Sequence, residues 1–289
     1  MSADRGTDRG AGMGAGAGWG PVRSLWQAAV AEWGKLWSVR STWWCLAGAA
    51  ALMVLAAVTL GGASATDALR AAREPGAPPA APVVAGEPVV SATIFAQFAL
   101  VALAMLTVTA EYATGSVRVT LQAVPVRGVM LAAKALVLAP VMFAAGVLSG
   151  AVAVAAVYAL LSADVFGGLV VAPPGEVARD LLGVGVFFAL VAVLTLGAGA
   201  ALRSAAGTLT VVFLLLMGLP LMLLMTGSQV AVELSLRMPM FAGLAFMGSA
   251  DNLTGGPIPY PAVEGLAWLV AWTAAALAAG HAVLRRRDA

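Results

Sequence analysis

The sequence predicts an all-α membrane protein, a bundle of six transmembrane helices with an amphipathic helix ahead of them at the membrane interface. Three observations carry this. Of 289 residues, 61% are hydrophobic and only 10% charged, with a mean hydropathy of +0.95, whereas a soluble domain carries about a quarter charged residues. Six segments are long and apolar enough for the roughly 20 residues that a helix needs to cross a bilayer. Lysine and arginine fall mostly in alternate connections, the pattern that orients a multi-pass chain. The net charge of +2 gives no attraction for nucleic acid. The single cysteine, Cys45, excludes an intrachain disulfide, and no Cys/His cluster has metal-ligand spacing. The one histidine, His281, is isolated in the last apolar segment and reads as a packing or lipid-interface residue. No cofactor or metal is expected.

Residues 1–20 are Gly- and Ala-rich without an apolar period, which predicts a disordered tail before a transmembrane unit over 21–289. The tail does not read as a secretory signal, because no short apolar core lies in it. From Val22 to Trp37, apolar residues including Trp26, Ala29, Trp33, Leu36 and Trp37 recur at three- and four-residue steps, with Arg23, Gln27 and Lys35 on the other face. Tryptophans opposite basic residues suit a helix lying in the headgroup region; the alternative is a helix packed on a cytosolic partner.

The spans are Thr42 to Leu60, Val89 to Ala110, Val129 to Leu161, Leu181 to Leu202, Thr208 to Met225 and Val263 to Leu284. The third is long for a simple crossing, so its part before Pro140 is expected to run obliquely at the cytosolic surface with a kink at the proline. With the N-terminus inside, only Arg70, Arg73, Arg179 and Arg237 of the 16 basic residues fall outside. Both termini are therefore expected in the cytosol.

Among the outer connections, Gly61 to Pro88 reads as irregular, and Ser162 to Asp180 as a loop with a Pro-Pro-Gly turn. Thr226 to Ala262 contains a short helix over Val230 to Arg237, a break at Pro239 and an apolar stretch over Met240 to Met247 that is too short to span. This predicts a hairpin dipping part-way into the outer leaflet and packed on the spans, with a plain extracellular loop as the alternative.

The connection after the second span is unusual. It runs from Glu111 to Lys134 and gathers Glu111, Arg118, Arg127 and Lys134. Gly115 loosens the incoming helix and Pro125 sits where the next one starts. Between them, Val117, Val119, Leu121 and Val124 alternate with polar residues, as in a short surface element offering a face to a cytosolic partner.

The chain has two lysines, Lys35 and Lys134, and neither stands in the Gly-x-x-x-x-Gly-Lys-Ser/Thr setting of a phosphate-binding loop. It is not expected to bind ATP that way. No carboxylate falls mid-span, as proton coupling would favour, and no Ser, Asp and His group suggests hydrolysis. The spans hold scattered Gln97, Thr107, Thr109, Ser149 and Thr195, which could line a path or serve helix packing, as Gly146, Gly150, Gly197 and Gly199 do.

Two motifs carry a family resemblance. Glu32-x-x-Lys35-x-x-Ser38-x-Arg40-Ser41 precedes the first span, and Glu111-Tyr112-x-x-Gly115-x-x-Arg118-x-Thr120-Leu121-x-x-x-Pro125-x-Arg127 follows the second. With the topology, they resemble the permease subunits of type-2 ATP-binding-cassette exporters over nearly the whole chain after residue 20. The tail of the outer hairpin, from Gly255 to Pro261, departs from that pattern. The resemblance implies an interfacial helix, here with Trp26, Trp33, Lys35 and Trp37, and a re-entrant hairpin between spans five and six. It makes the connection after span two a coupling helix that docks on a separate ATPase subunit. The docking face then comes from Gly115, Ser116, Val117, Arg118, Thr120, Leu121 and Arg127. Glu111 sits at the hinge, and we expect it to pair with Arg118 or with a basic residue of the N-terminal helix. The resemblance further implies a second permease copy, as a homodimer or a related heterodimer, in the plasma membrane. The chain itself would be no enzyme, ATP hydrolysis residing in the partner. A secondary carrier and a non-transporting scaffold or sensor are the alternatives.

Overall fold

A computed structural model describes residues 21–76, 78–115, 126–249, 256 and 258–286, with side chains from Leu25 onward in the first helix. The expected tail over 1–20 lies outside the described residues. So does the heart of the expected coupling helix, with Ser116, Val117, Arg118, Thr120 and Leu121.

The described chain is almost entirely helical. Helix α1 covers Pro21–Ser38 and α2 covers Arg40–Ala71. They are followed by α3 (Glu87–Ala113), α4 (Arg127–Leu161) and α5 (Pro174–Leu202). Then come α6 (Ala205–Met225), the short α7 (Gln229–Leu236) and α8 (Pro239–Met247), and finally α9 (Ala262–Arg286). Six of these, α2 to α6 and α9, are long and apolar enough to cross a membrane.

Local chemistry explains the boundaries. Prolines stand in the first turns of α3, α5 and α8, where a missing N–H costs nothing. Glu87 and Glu176 add negative charge at the N-termini of α3 and α5, and Arg285 and Arg286 positive charge at the C-terminus of α9, each matching the helix dipole. Arg203 closes α5 at φ 55°, and the Ser204 hydroxyl then caps α6 by accepting from Gly207 N–H at 3.3 Å. Helix α6 widens to a π turn over Leu214–Gly218 just before Pro220, where the ring removes an intrahelical bond.

The sequence misleads in three places. Gly61 to Ala71 is not irregular but continues α2, because Gly61 lets the helix close on Val157 and Pro88. Pro174 starts α5 rather than turning a loop, and Val83–Val84 pairs in parallel with Val170–Val171, joining the connections after α2 and after α4. Helix α4 runs unbroken through Pro140, and its first third buries Met130, Leu131, Lys134 and Leu138 in the bundle.

Helices α3 and α5 are the most enclosed, while α2, α6 and α9 leave most of their surface open. Glycines set the closest crossings. A Cβ on Gly197 would stand 2.5 Å from the Ala276 backbone of α9, and one on Gly280 would stand 2.5 Å from the Gly197 carbonyl. Gly146 and Gly150 likewise admit α5 against α4, whereas Gly199 makes ordinary contacts. The span hydroxyls of Thr107, Thr109, Ser149 and Thr195 donate to carbonyls three or four residues back in their own helices.

Helices α7 and α8 meet at 67°. Helix α8 is buried over nearly its whole length against α5 and α9. Side chains claim two carbonyls at this corner, and Ser235 of α7 reaches a third within α6. The Tyr260 hydroxyl donates to Leu236 O, Trp272 Nε1 to Arg237 O at 2.9 Å, and Ser235 Oγ to Pro220 O at 2.7 Å. Carbonyls left over at a helix end need such donors in an apolar setting.

Candidate functional site

Helix direction brings the end of α1, the start of α2, the end of α3 and the start of α4 to one end of the bundle. Arg127 at the start of α4 donates to the Leu284 carbonyl of α9, which sits beside Arg285 and Arg286. Arg203 lies over the Tyr112 ring, 5.2 Å from its centre, at the same end. Arg70 in the last turn of α2, Arg73 just after it, Arg179 near the start of α5 and Arg237 at the end of α7 lie at the other end.

Four charged side chains meet here from three helices. The Lys134 ammonium donates to Glu32 Oε2 at 2.6 Å, to Glu111 Oε1 at 2.9 Å and to the Thr107 carbonyl at 3.1 Å. All three of its hydrogens are used, and its side chain is only 3% exposed. Lys35 donates to Glu32 Oε1 at 2.8 Å and to Glu111 Oε1 at 2.9 Å. Two positive and two negative charges therefore balance, which is the condition under which charges are tolerated at such depth. Partial burial of Lys35 works against its charge, but the hydrogen bonds and attraction of the two carboxylates outweigh it and hold its pKa above the ordinary lysine value.

The network answers part of the sequence expectation. Glu111 pairs with a basic residue of the N-terminal helix, Lys35, and also with Lys134; Arg118 lies outside the described residues. Gly115, at φ 70°, follows the last turn of α3 in the left-handed conformation that glycine adopts most readily. Arg127 begins α4. Gly115 and Arg127 therefore stand at the two ends of the connection, each close to the charged cluster or to α9.

Helix α1 is oriented by the same contacts. Ala28, Ala29, Glu32 and Leu36 face inward, while Trp26 is 67% and Trp33 50% exposed. Trp37 is partly buried, with ring centres 5.5 Å from Trp33 and 5.0 Å from Trp43. Trp26 is thus turned outward, while Trp33 and Trp37 stand over a groove shared with α2 and α4. His281 packs beside Gly128, as expected of a packing residue. Among the described residues no group of His, Cys, Asp and Glu could hold a metal ion.

Sequence reasoning placed Glu32 in the motif before the first span but gave it no partner, and it missed the depth of Lys134. A signal existed for both. Glu32 falls on the Ala28/Leu36 stripe, and Lys134 stands within the apolar run of the third span, where a lysine is a functional candidate by default.

Beside the network, a cavity of about 470 Å³ opens between α1, α2, α3 and α4. Leu36, Leu103, Leu106, Val137 and Leu138 form its apolar wall, and Lys35, Glu111 and Lys134 stand at its charged end.

No protein-family model matches this chain, and comparison with the curated proteins finds no relative.

Proposed function

We propose that the chain is the membrane-spanning permease subunit of an ATP-binding-cassette exporter. In this reading it forms the substrate pathway with a second permease copy and is driven by ATP hydrolysis on a separate ATPase subunit. The observation that carries the reading is the Glu32/Lys35/Glu111/Lys134 network. It ties α1 to α3 one turn before the 114–126 connection and to α4 two turns after it. A push on that connection by a cytosolic partner would reach both helices and α1 together, because buried Lys134 holds a carboxylate of α1 and one of α3 and its loss would leave both short of a partner. The docking surface would come from Gly115, Ser116, Val117, Arg118, Thr120 and Leu121, with Arg127 at its base. The absence of a phosphate-binding loop in the sequence fits an energy source on another chain. The end of the bundle that carries most of the basic residues would face the cytosol, and the α7–α8 corner would lie in the outer leaflet.

Buried Lys134 is the one feature that a secondary carrier would also use. Its hydrogens are all committed to fixed partners, and no described carboxylate lies mid-span to receive a proton from it. The permease reading therefore explains more.

Purification of the chain from its native membrane in mild detergent tests the proposal. A soluble ATPase in stoichiometric amount is expected. A chain that emerges intact and alone would overturn it.

A further inference from the structure

The cavity between α1 and the α3–α4 pair has a polarity of its own. From Leu103 to Glu111 its α3 wall covers eight residue steps, about 12 Å of helix. Its volume lies within the range of small-molecule sites, and its walls away from the network are apolar.

Four hydroxyls of its wall have spent their hydrogens. Ser38 Oγ donates to Lys35 O, Thr42 Oγ1 to Leu36 O, Thr107 Oγ1 to Ala104 O and Thr114 Oγ1 to Ala110 O. Lys134 has no hydrogen left to give. Both oxygens of Glu32 accept, one from each lysine. Glu111 differs, because both lysines bond to its Oε1 and its Oε2 has no partner among the described residues. What Glu111 and the hydroxyls of Ser38, Thr42 and Thr107 offer an incoming molecule is acceptors, one of them a carboxylate oxygen.

We infer that this cavity binds an amphiphile whose apolar chain lies along Leu103, Leu106, Val137 and Leu138 and whose primary ammonium head meets Glu111 Oε2 at the network. An ammonium supplies three donors and can make a charge-assisted hydrogen bond to the open carboxylate oxygen of Glu111, whereas a hydroxyl head supplies one donor and no charge. The inference stands on the cavity alone and holds whether or not an ATPase drives the chain.

The full chain in phosphatidylcholine nanodiscs can be photolysed with a diazirine-bearing long-chain primary amine, and in parallel with its matched alcohol, the labelled peptides being mapped by mass spectrometry. The amine is expected to label α3 around Leu103 and α4 around Val137. The alcohol should label there about tenfold less, the worth of one charge-assisted hydrogen bond. Glu111→Gln should remove that preference. Because this variant also disturbs the network, Leu106→Trp provides a second test. It fills the cavity away from the charges and should abolish capture of both probes, with the detergent melting temperature showing that the chain is folded. Equal capture of amine and alcohol by the parent would overturn the assignment of the head, and labelling unchanged in Leu106→Trp would overturn the site. Adding phosphatidylethanolamine to the discs separates the sources of the ammonium. Competition would identify the membrane's own aminophospholipid as occupant, and undiminished labelling a free amine.

Discussion

Lys134 and Glu32 stand 102 positions apart in the chain and 2.6 Å apart in space. The contact binds a lysine inside an apolar helix to a carboxylate on a helix that sequence alone would leave on the membrane surface. With Glu111 and Lys35 it makes a closed set of charges, and most of the chain's distinctive behaviour should trace to it.

Removing Lys134 should be costly. Lys134→Met would leave Glu32 and Glu111 with only half-exposed Lys35 for both, and loss of one member of a buried ion set typically costs about 3 kcal/mol or more. Thermal unfolding in a single detergent should show a clear fall. The triple variant Lys134→Met, Glu32→Gln, Glu111→Gln should recover much of it, since no buried charge is then stranded. A single variant as stable as the parent would mean that the network is not formed.

The docking proposal predicts a different pattern. Arg118→Glu or Leu121→Ala should release the co-purifying ATPase while leaving the amount and melting temperature of the chain unchanged. Retention of the ATPase at parental stoichiometry by both variants would remove the 114–126 connection from consideration as the coupling element.

The crossing of α5 and α9 should respond to a single methyl. Gly197→Ala would force its Cβ to 2.5 Å from the Ala276 backbone, which cannot swing aside as a side chain can. A loss of about 1–3 kcal/mol is expected from overpacking. Gly34→Ala on α1 meets nothing within 4 Å and should be neutral or slightly stabilising through helix propensity. Melting temperatures of the two variants, measured side by side, check the contrast.

Tyr260 gives a pH-dependent test at the α7–α8 corner. Burial, with help from Glu264 and against the pull of Arg237, pushes its phenol up to about 12. The folded value lies above the unfolded one of about 10, so the neutral phenol is the form that stabilises the fold. Its contribution is fully present below about pH 10 and is lost as pH rises through about 12. Tyr260→Phe, which loses the bond to Leu236 O, should lower stability by about 1 kcal/mol at neutral pH. The gap from the parent should stay constant to about pH 10 and then narrow. A constant gap through pH 12 would show that the hydroxyl does not make this contact.

Much of the fold was legible because a bilayer leaves a chain few choices. Backbone polar groups must be satisfied within each segment, so a run such as Val89 to Ala110 declares itself a helix whatever surrounds it. The break before Pro239 is legible for a related reason, since proline cannot continue a helix from within but readily begins one. The inward stripe of α1 was only half legible. Its tryptophans dominate the periodicity, yet Ala28, Glu32 and Leu36 are the side chains that pack.

By itself, then, the sequence determined the membrane class, the six apolar helices, the α7–α8 corner and the chemical types gathered around Glu111, because these follow from short-range composition and backbone chemistry. Only the tertiary structure decided that Gly61 to Ala71 stays helical, that Val83 and Val170 pair, and that Glu32, Lys35, Glu111 and Lys134 form one network. Each of those outcomes depends on a contact between segments far apart in the chain. A glycine reads as loose until Val157 and Pro88 close on it, and a lysine reads as a loop residue until two carboxylates from other helices take up its charge.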